Sequence, residues 1–157
     1  ASRLRLPVRP PRPEDAALPA FAAPEHGPHA PVTPLAEGRF QRESRFDFTS
    51  GTATYITHGE GGLFGEGVLR FDAIDLTLDH GLRRELSIQE HDPLSARYVI
   101  TQHYAMGREG WRIRIETRTA MSATADTFHL EGELRAYANG ELAAERRWQE
   151  RIARDLV

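Results

Sequence analysis

The chain has 157 residues, a formal net charge of −3 and no cysteine. This length predicts one domain with room for an arm. The lack of cysteine excludes disulfides and cysteine-ligated zinc, and it suits the reducing cytoplasm, where we expect the protein. The negative charge argues against a nucleic-acid interface, and no run of about 18 apolar residues predicts a membrane helix.

Residues 1–38 form a proline-rich segment that differs from the rest of the chain. Nine of the ten prolines lie between Pro7 and Pro34. Because proline fixes φ and lacks a backbone N–H, we predict an extended arm rather than a central strand or a long helix. Within the arm, alternation over Leu4–Val8 predicts a short strand, and Pro13–Leu18 predicts one helical turn.

Residues 39–157 alternate apolar and polar side chains between glycine- and asparagine-containing turns. The clearest case is Trp111–Thr119, which places Trp, Ile and Thr on one face and Arg and Glu on the other. We predict an all-β domain: a curved antiparallel sheet, a partly closed barrel or sandwich, of about eight strands. The predicted strands are Phe40–Phe48, Thr52–Thr57, Gly67–Leu78, Leu82–Ile88, Leu94–Met106, Trp111–Met121, Phe128–Ala138 and Glu141–Ile152.

Hairpin registers follow from the requirement that apolar faces coincide. A four-residue loop at Gly107–Gly110 would place Met106 opposite Trp111. A three-residue loop ending at Gly140 would place Leu134 opposite Ala144, with Gly140 at positive φ in a bulge.

The same reasoning predicts a hairpin at Asp79–Gly81 that pairs Leu78 with Leu82. Gly81 would then also adopt positive φ, so replacing either Gly81 or Gly140 by valine should destabilise the fold.

The apolar side of these strands gives the predicted core, and truncation of its Trp111 should leave the domain largely unfolded. The predicted core residues are Phe46, Phe48, Ile74, Leu76, Leu86, Ile88, Tyr98, Ile100, Trp111, Ile113, Ile115, Phe128, Leu130, Leu134 and Trp148.

Several histidines and a serine are candidates for metal binding or hydrolase chemistry. His26 and His29 have a ligand-like spacing but lack a third ligand nearby. His58 opens a His-Gly-Glu-Gly-Gly segment that faintly resembles an oxyanion loop, and it is better explained as a hairpin loop. His91, Asp92 and Ser95 are adjacent in sequence, whereas a triad needs groups that converge in space. We therefore predict no catalytic, cofactor-binding or metal-binding residue.

The remaining polar residues of the strands are expected to be solvated. His103 and His129 lie on polar faces among Arg and Glu. Glu131 is predicted to face Arg147, and Arg135 is predicted to lie diagonal to Glu145, as cross-strand ion pairs on a wet face.

Four ordered segments resemble the C-terminal region of cocaine-esterase/X-prolyl-dipeptidyl-peptidase-like (CocE/NonD) hydrolases. The likeness covers most of the chain, apart from residues 20–38 and 55–72. The segments that carry it are Leu4–Ala16, Glu90–Ala96, Trp111–Thr119 and Arg147–Val157.

The resemblance implies a parent with an α/β-hydrolase domain carrying a Ser-His-Asp triad, a helical cap and a β jelly roll. No catalytic residue of that family maps onto this chain. It would thus be a non-catalytic β-domain, tethered by residues 9–38, that packs on the catalytic or jelly-roll domain of the same parent and takes part in stabilisation or homo-oligomerisation.

Two other functions remain open from the sequence. One is a free-standing lipocalin-like barrel that holds a small apolar ligand, which would require an open interior cavity. The other is a complete small hydrolase, which the absence of a recognisable nucleophile motif disfavours.

Overall fold

The computed structural model describes residues 3, 6–17, 21–25, 27–28, 30–62 and 65–155. The fold is all-β, as predicted: nine strands form one antiparallel sheet, with two 3-10 turns at Pro13–Ala17 and Asp72–Ile74. The strands are β1 (Val32–Ala36), β2 (Arg39–Asp47), β3 (Thr52–Glu60), β4 (Val68–Phe71), β5 (Leu76–Gln89), β6 (Asp92–Arg108), β7 (Trp111–Ala123), β8 (Thr127–Ala138) and β9 (Glu141–Ala153).

The sheet forks at β5, which is 14 residues long and pairs with two strands along one edge. Its first part, Leu76–Leu78, pairs with β4, and Leu82–Gln89 pairs with β3. β1 extends the first branch and β2 the second, while β6 to β9 follow in order on the other edge of β5. Hydrogen bonds between the described strands do not close this sheet into a ring.

The predicted arm contains a strand that the sequence did not predict. β1 includes Pro34 and, among the described strands, pairs only with β4, so it lies at an edge of the sheet, where a missing N–H is tolerated. The predicted turn near Pro13 is present as a 3-10 turn. The predicted strand at Leu4–Val8 is irregular at Leu6–Val8, and Leu4 itself lies outside the described residues.

The predicted hairpin at Asp79–Gly81 is wrong, because β5 runs straight through it. The chain turns earlier, where Asp75 has φ 49° and its carboxylate forms an ion pair with Arg70 at 2.7 Å. Gly81 lies opposite His103, and a Cβ on Gly81 would fall 2.2 Å from the imidazole. This glycine makes room for a ring on the neighbouring strand and does not form a turn.

The β6–β7 register is also two residues away from the prediction. Glu109 and Gly110 form a two-residue turn, so Arg108 faces Trp111 and Met106 faces Ile113. Gly110 has φ 74°, which suits a tight hairpin. Because the error is an even number of residues, every side chain keeps its predicted face.

At the last hairpin, Asn139 and Gly140 form a two-residue turn with φ of 50° and 90°. The positive φ of Gly140 is confirmed, but the predicted three-residue loop is wrong. The strands shift register by one residue between Ala136 and Tyr137. This bulge, which lies inside the hairpin and not in its loop, brings the apolar side chains of the two strands onto the same face. Leu134 consequently faces Arg146, not Ala144.

The predicted core is largely wrong. Among the described residues, the buried apolar side chains are Ile56, Leu82 and Ala120, at 4%, 5% and 7% exposure. The predicted core residues that are exposed are Phe46, Phe48, Ile74, Leu86, Ile88, Trp111 and Trp148. Most of them share a face of the sheet that no other described element covers, whereas Phe48 and Ile74 lie in turns.

Ile56 is buried on the opposite side of the sheet, under charged residues. Glu43 and Glu85 flank it on the neighbouring strands and form ion pairs with Arg45 and Arg83. The aliphatic parts of such long side chains can cover apolar surface while their charged ends remain in water.

The burial of Ile56 and the exposure of Trp111 predict that truncating Ile56 costs more stability than truncating Trp111, contrary to the expectation from the sequence. Ile56→Ala should lower the free energy of unfolding by about 2–5 kcal/mol, because it leaves a cavity at a buried site. Trp111→Ala should cost less than Ile56→Ala and leave a cooperative transition, since Trp111 is 41% exposed. Urea unfolding followed by circular dichroism measures both, and a larger loss for Trp111→Ala would contradict the assignment.

Gly140→Val should destabilise the protein by about 1–3 kcal/mol through backbone strain at positive φ. Steric conflict is not the cause, because a Cβ on Gly140 meets no atom within 4 Å. Ala138→Val, at an exposed strand position beside the turn, is the matched control and should change the urea midpoint little. Equal effects of the two substitutions would rule out the strain argument.

Candidate functional site

One face of the sheet carries a continuous apolar surface across most of its strands. We call it the apolar face, and its members lie in rows of directly paired residues. Its central row is Tyr55, Leu86, Tyr98, Met121 and Leu130; beside it lie Phe46, Ala53, Ile88, Ile100, Thr119, Ala123, Phe128, Trp148 and Ile152.

The side chains of the apolar face remain in contact with water. Tyr55, Leu86 and Trp148 are 42%, 44% and 44% exposed. A trough of about 540 Å³ runs over the central row and ends near Phe128 and Arg154. Contiguous exposed apolar surface is typical of surfaces that contact a protein, a ligand or a membrane.

The opposite side, the polar face, is covered by ion pairs between and along strands. Arg135 Nε donates to Glu145 Oε1 at 3.0 Å, and this hydrogen bond lowers the pKa of the Glu145 carboxyl. The two residues are directly opposite each other rather than diagonal. Glu131 faces Gln149 instead of the predicted Arg147, and its carboxylate lies 3.8 Å from Arg118.

The residues considered for hydrolase chemistry are not brought together. Ser95 Oγ donates to the Asp92 carbonyl at 2.6 Å and accepts from the Gln89 N–H at 2.7 Å. His91 lies in the β5–β6 turn at φ 66°, with its side chain 90% exposed. Ser95 thus stabilises a turn, and the imidazole does not contact its hydroxyl.

The other candidate histidines lie in strands or outside the described residues. His58 belongs to β3, not to a loop, with Nε2 3.4 Å from Glu60. His103 Nε2 is 3.6 Å from Asp79. Within the described ranges, no group of three or more His, Asp or Glu residues could hold a metal ion. His26 and His29 lie outside those ranges.

His80 is a buried titratable residue that the sequence patterns did not single out. It is 6% exposed, its ring stacks on Tyr104 at 3.8 Å between centroids, and its Nε2 has no hydrogen-bond partner among the described residues. Burial lowers the pKa of His80, and the nearby His103 lowers it further. Its position next to a glycine suggested a turn, so the sequence gave no signal of burial.

Comparison of the chain with protein-family models, with curated proteins and with solved structures produced no match in any of the three. In the part of the chain that the structure describes, no helix is long and apolar enough to cross a membrane.

The buried imidazole predicts a loss of stability in mild acid. The unfolded chain protonates His80 near the ordinary pKa of 6.5, whereas the folded chain resists protonation. The free energy of unfolding should therefore be independent of this residue above pH 6.5 and should fall as the pH drops below it.

Urea midpoints between pH 5 and pH 8 measure this effect. His80→Phe keeps a ring against Tyr104 and should flatten the acid limb of the stability profile. His91→Gln, at an exposed position, is the control and should leave that limb unchanged. An unchanged limb in His80→Phe would show that other groups cause the acid loss.

Proposed function

We propose that this chain is a non-catalytic β-domain of a CocE/NonD-like serine hydrolase, and that its apolar face packs against the catalytic or jelly-roll domain of the same parent. The parent would hydrolyse ester, amide or X-Pro peptide bonds. The chain's own contribution would be to stabilise that enzyme or shape access to its active site. Because the chain contains no cysteine, we place the parent in the cytoplasm.

The observation that carries this proposal is the uncovered apolar face. A sheet with one apolar face normally buries it against a second layer, and here none of the described elements supplies that layer. Burial of apolar area contributes about 25 cal/mol per Å² to stability, so covering the exposed side chains of the central row would stabilise the protein.

The second support is the arrangement of polar groups. Ser95 Oγ donates to a carbonyl in the turn at the start of β6, and His103 lies beside Asp79 on the neighbouring strand, so each of these side chains has a structural contact. The resemblance of the four segments to the C-terminal region of such hydrolases supplies the kind of parent. The open sheet weighs against the alternative of a ligand-holding barrel, which needs an enclosed interior.

The proposal predicts that a charge on the apolar face matters only when the parent's other domains are present. In the full-length parent, which joins this chain to the catalytic and jelly-roll domains (the joined protein), Leu86→Glu should lower the melting temperature by several degrees. The substitution would bury a carboxylate at the interface. In the isolated chain, where Leu86 is 44% exposed, the change should be small. Thr101→Glu, on the polar face between Arg83 and Arg118, is the control and should be mild in both forms.

The residues encoded upstream of Ala1 would show whether this parent exists. A Gly-x-Ser-x-Gly elbow a few hundred residues before it would support the proposal. A stop codon immediately upstream, or equal effects of Leu86→Glu in both forms, would overturn it.

A further inference from the structure

The last strand, β9, presents a long edge that no other described strand covers. All 13 of its residues are exposed, it contains no proline, and its outer backbone groups pair with no other described strand. β1, at an opposite edge, is only five residues long and contains Pro34. Free edges of this length are templates for pairing with another chain.

The charges of β9 divide into two groups. Glu145 and Arg147 are already paired, since Glu145 accepts from Arg135 at 3.0 Å and from Arg147 at 3.3 Å. The side chains of Glu141, Arg146, Glu150 and Arg151 form no ion pair with any described residue. Arg146 and Glu150 lie on the apolar face on either side of Trp148, while Arg151 lies on the polar face.

We propose that β9 pairs antiparallel with β9 of a second copy of this chain, around a two-fold axis at Trp148. In this register each Arg146 faces Glu150 of the other copy, and each Glu145 faces Arg151. Ala144 faces Ile152, Arg147 faces Gln149, and the two Trp148 side chains meet at the axis. Three of the four charges without a partner thus gain one, Glu141 being the exception, and the interface is isologous.

The other central registers of β9 are unfavourable on charge alone. Faces match across a two-fold axis only when the axis passes through a residue. An axis at Glu145, Arg146, Arg147, Glu150 or Arg151 sets a charge against its own copy. An axis at Gln149 sets Arg147 against Arg151. Between Glu145 and Arg151, only Trp148 gives a register without like charges in direct opposition.

The proposed pairing does not depend on what covers the apolar face. A two-fold axis normal to the sheet leaves both apolar faces on the same side and extends each nine-stranded sheet into its copy. Main-chain hydrogen bonds along the edge would supply affinity, and the charge pattern would fix the register.

Charge reversal tests this arrangement by sedimentation equilibrium of the full chain. The wild type should be a dimer, and Arg146→Glu and Glu150→Arg should each raise the dimer dissociation constant at least about tenfold, because four attractive contacts change to two attractive and two repulsive ones. An equimolar mixture of the two variants should restore a dimer, since they carry complementary charges. Arg112→Glu, outside β9, should behave as wild type.

Cysteine substitution tests the register independently, since the natural chain has no cysteine. Opposed residues of an antiparallel pair have Cα atoms about 4.5–5.5 Å apart, within reach of a disulfide. Trp148→Cys should therefore oxidise to a covalent dimer at least about tenfold faster than Arg146→Cys.

Circular dichroism and the urea midpoint check that each variant keeps the fold. A monomeric wild type, an assembly insensitive to the charge reversals, or faster cross-linking of Arg146→Cys than of Trp148→Cys would overturn the proposal. A mixture of the two reversal variants that stays monomeric would do the same.

Discussion

A β-sheet satisfies its backbone hydrogen bonds within its own plane, but it cannot bury its own faces. That constraint governs this protein. Ladders join nine strands, and no other described element covers them, so the best-buried apolar side chains are scattered. Leu82 lies on the apolar face, whereas Ile56 and Ala120 lie beneath charged residues on the polar face. The aromatic and aliphatic side chains that would normally form a core are half-exposed together on the other side.

The long strand β5 explains how one sheet reaches this size. By pairing with β4 along its first part and β3 along its second, it lets two antiparallel strand pairs, β1–β4 and β2–β3, share one edge. The junction is crowded around His80, whose carbonyl accepts a hydrogen bond from Gly62 and whose ring stacks on Tyr104. Gly81, next in the chain, leaves space for His103 on β6. Two adjacent residues therefore serve packing at the fork of the sheet.

Alternation in the sequence predicted most strands of the second half of the chain and the composition of each face, because period two is a local property of the backbone. It missed β1 and divided β5 in two. It held even where the hairpin register was wrong, as at Glu109–Gly110, since an even shift preserves sidedness. It could not predict whether a face is covered, because burial depends on other elements. Leu86 and Trp111 were assigned to a core for that reason. Gly81 was predicted to lie in a turn. The residue must be glycine for another reason: the ring of His103, 22 positions along the chain, occupies the space that a side chain would need.

The apolar face and the edge of β9 are surfaces of different kinds, and their chemistry separates what each can bind. The apolar face offers area without a ladder of free backbone groups, so it suits a layer packed flat upon it. The edge offers free N–H and C=O groups along a strand of 13 residues that carries charges of both signs, so it suits an extended strand of complementary sequence. Trp148 belongs to both, because it lies on the apolar face at the outermost strand. A layer over the face and a strand at the edge would meet at this one side chain, and its burial would then depend on both contacts.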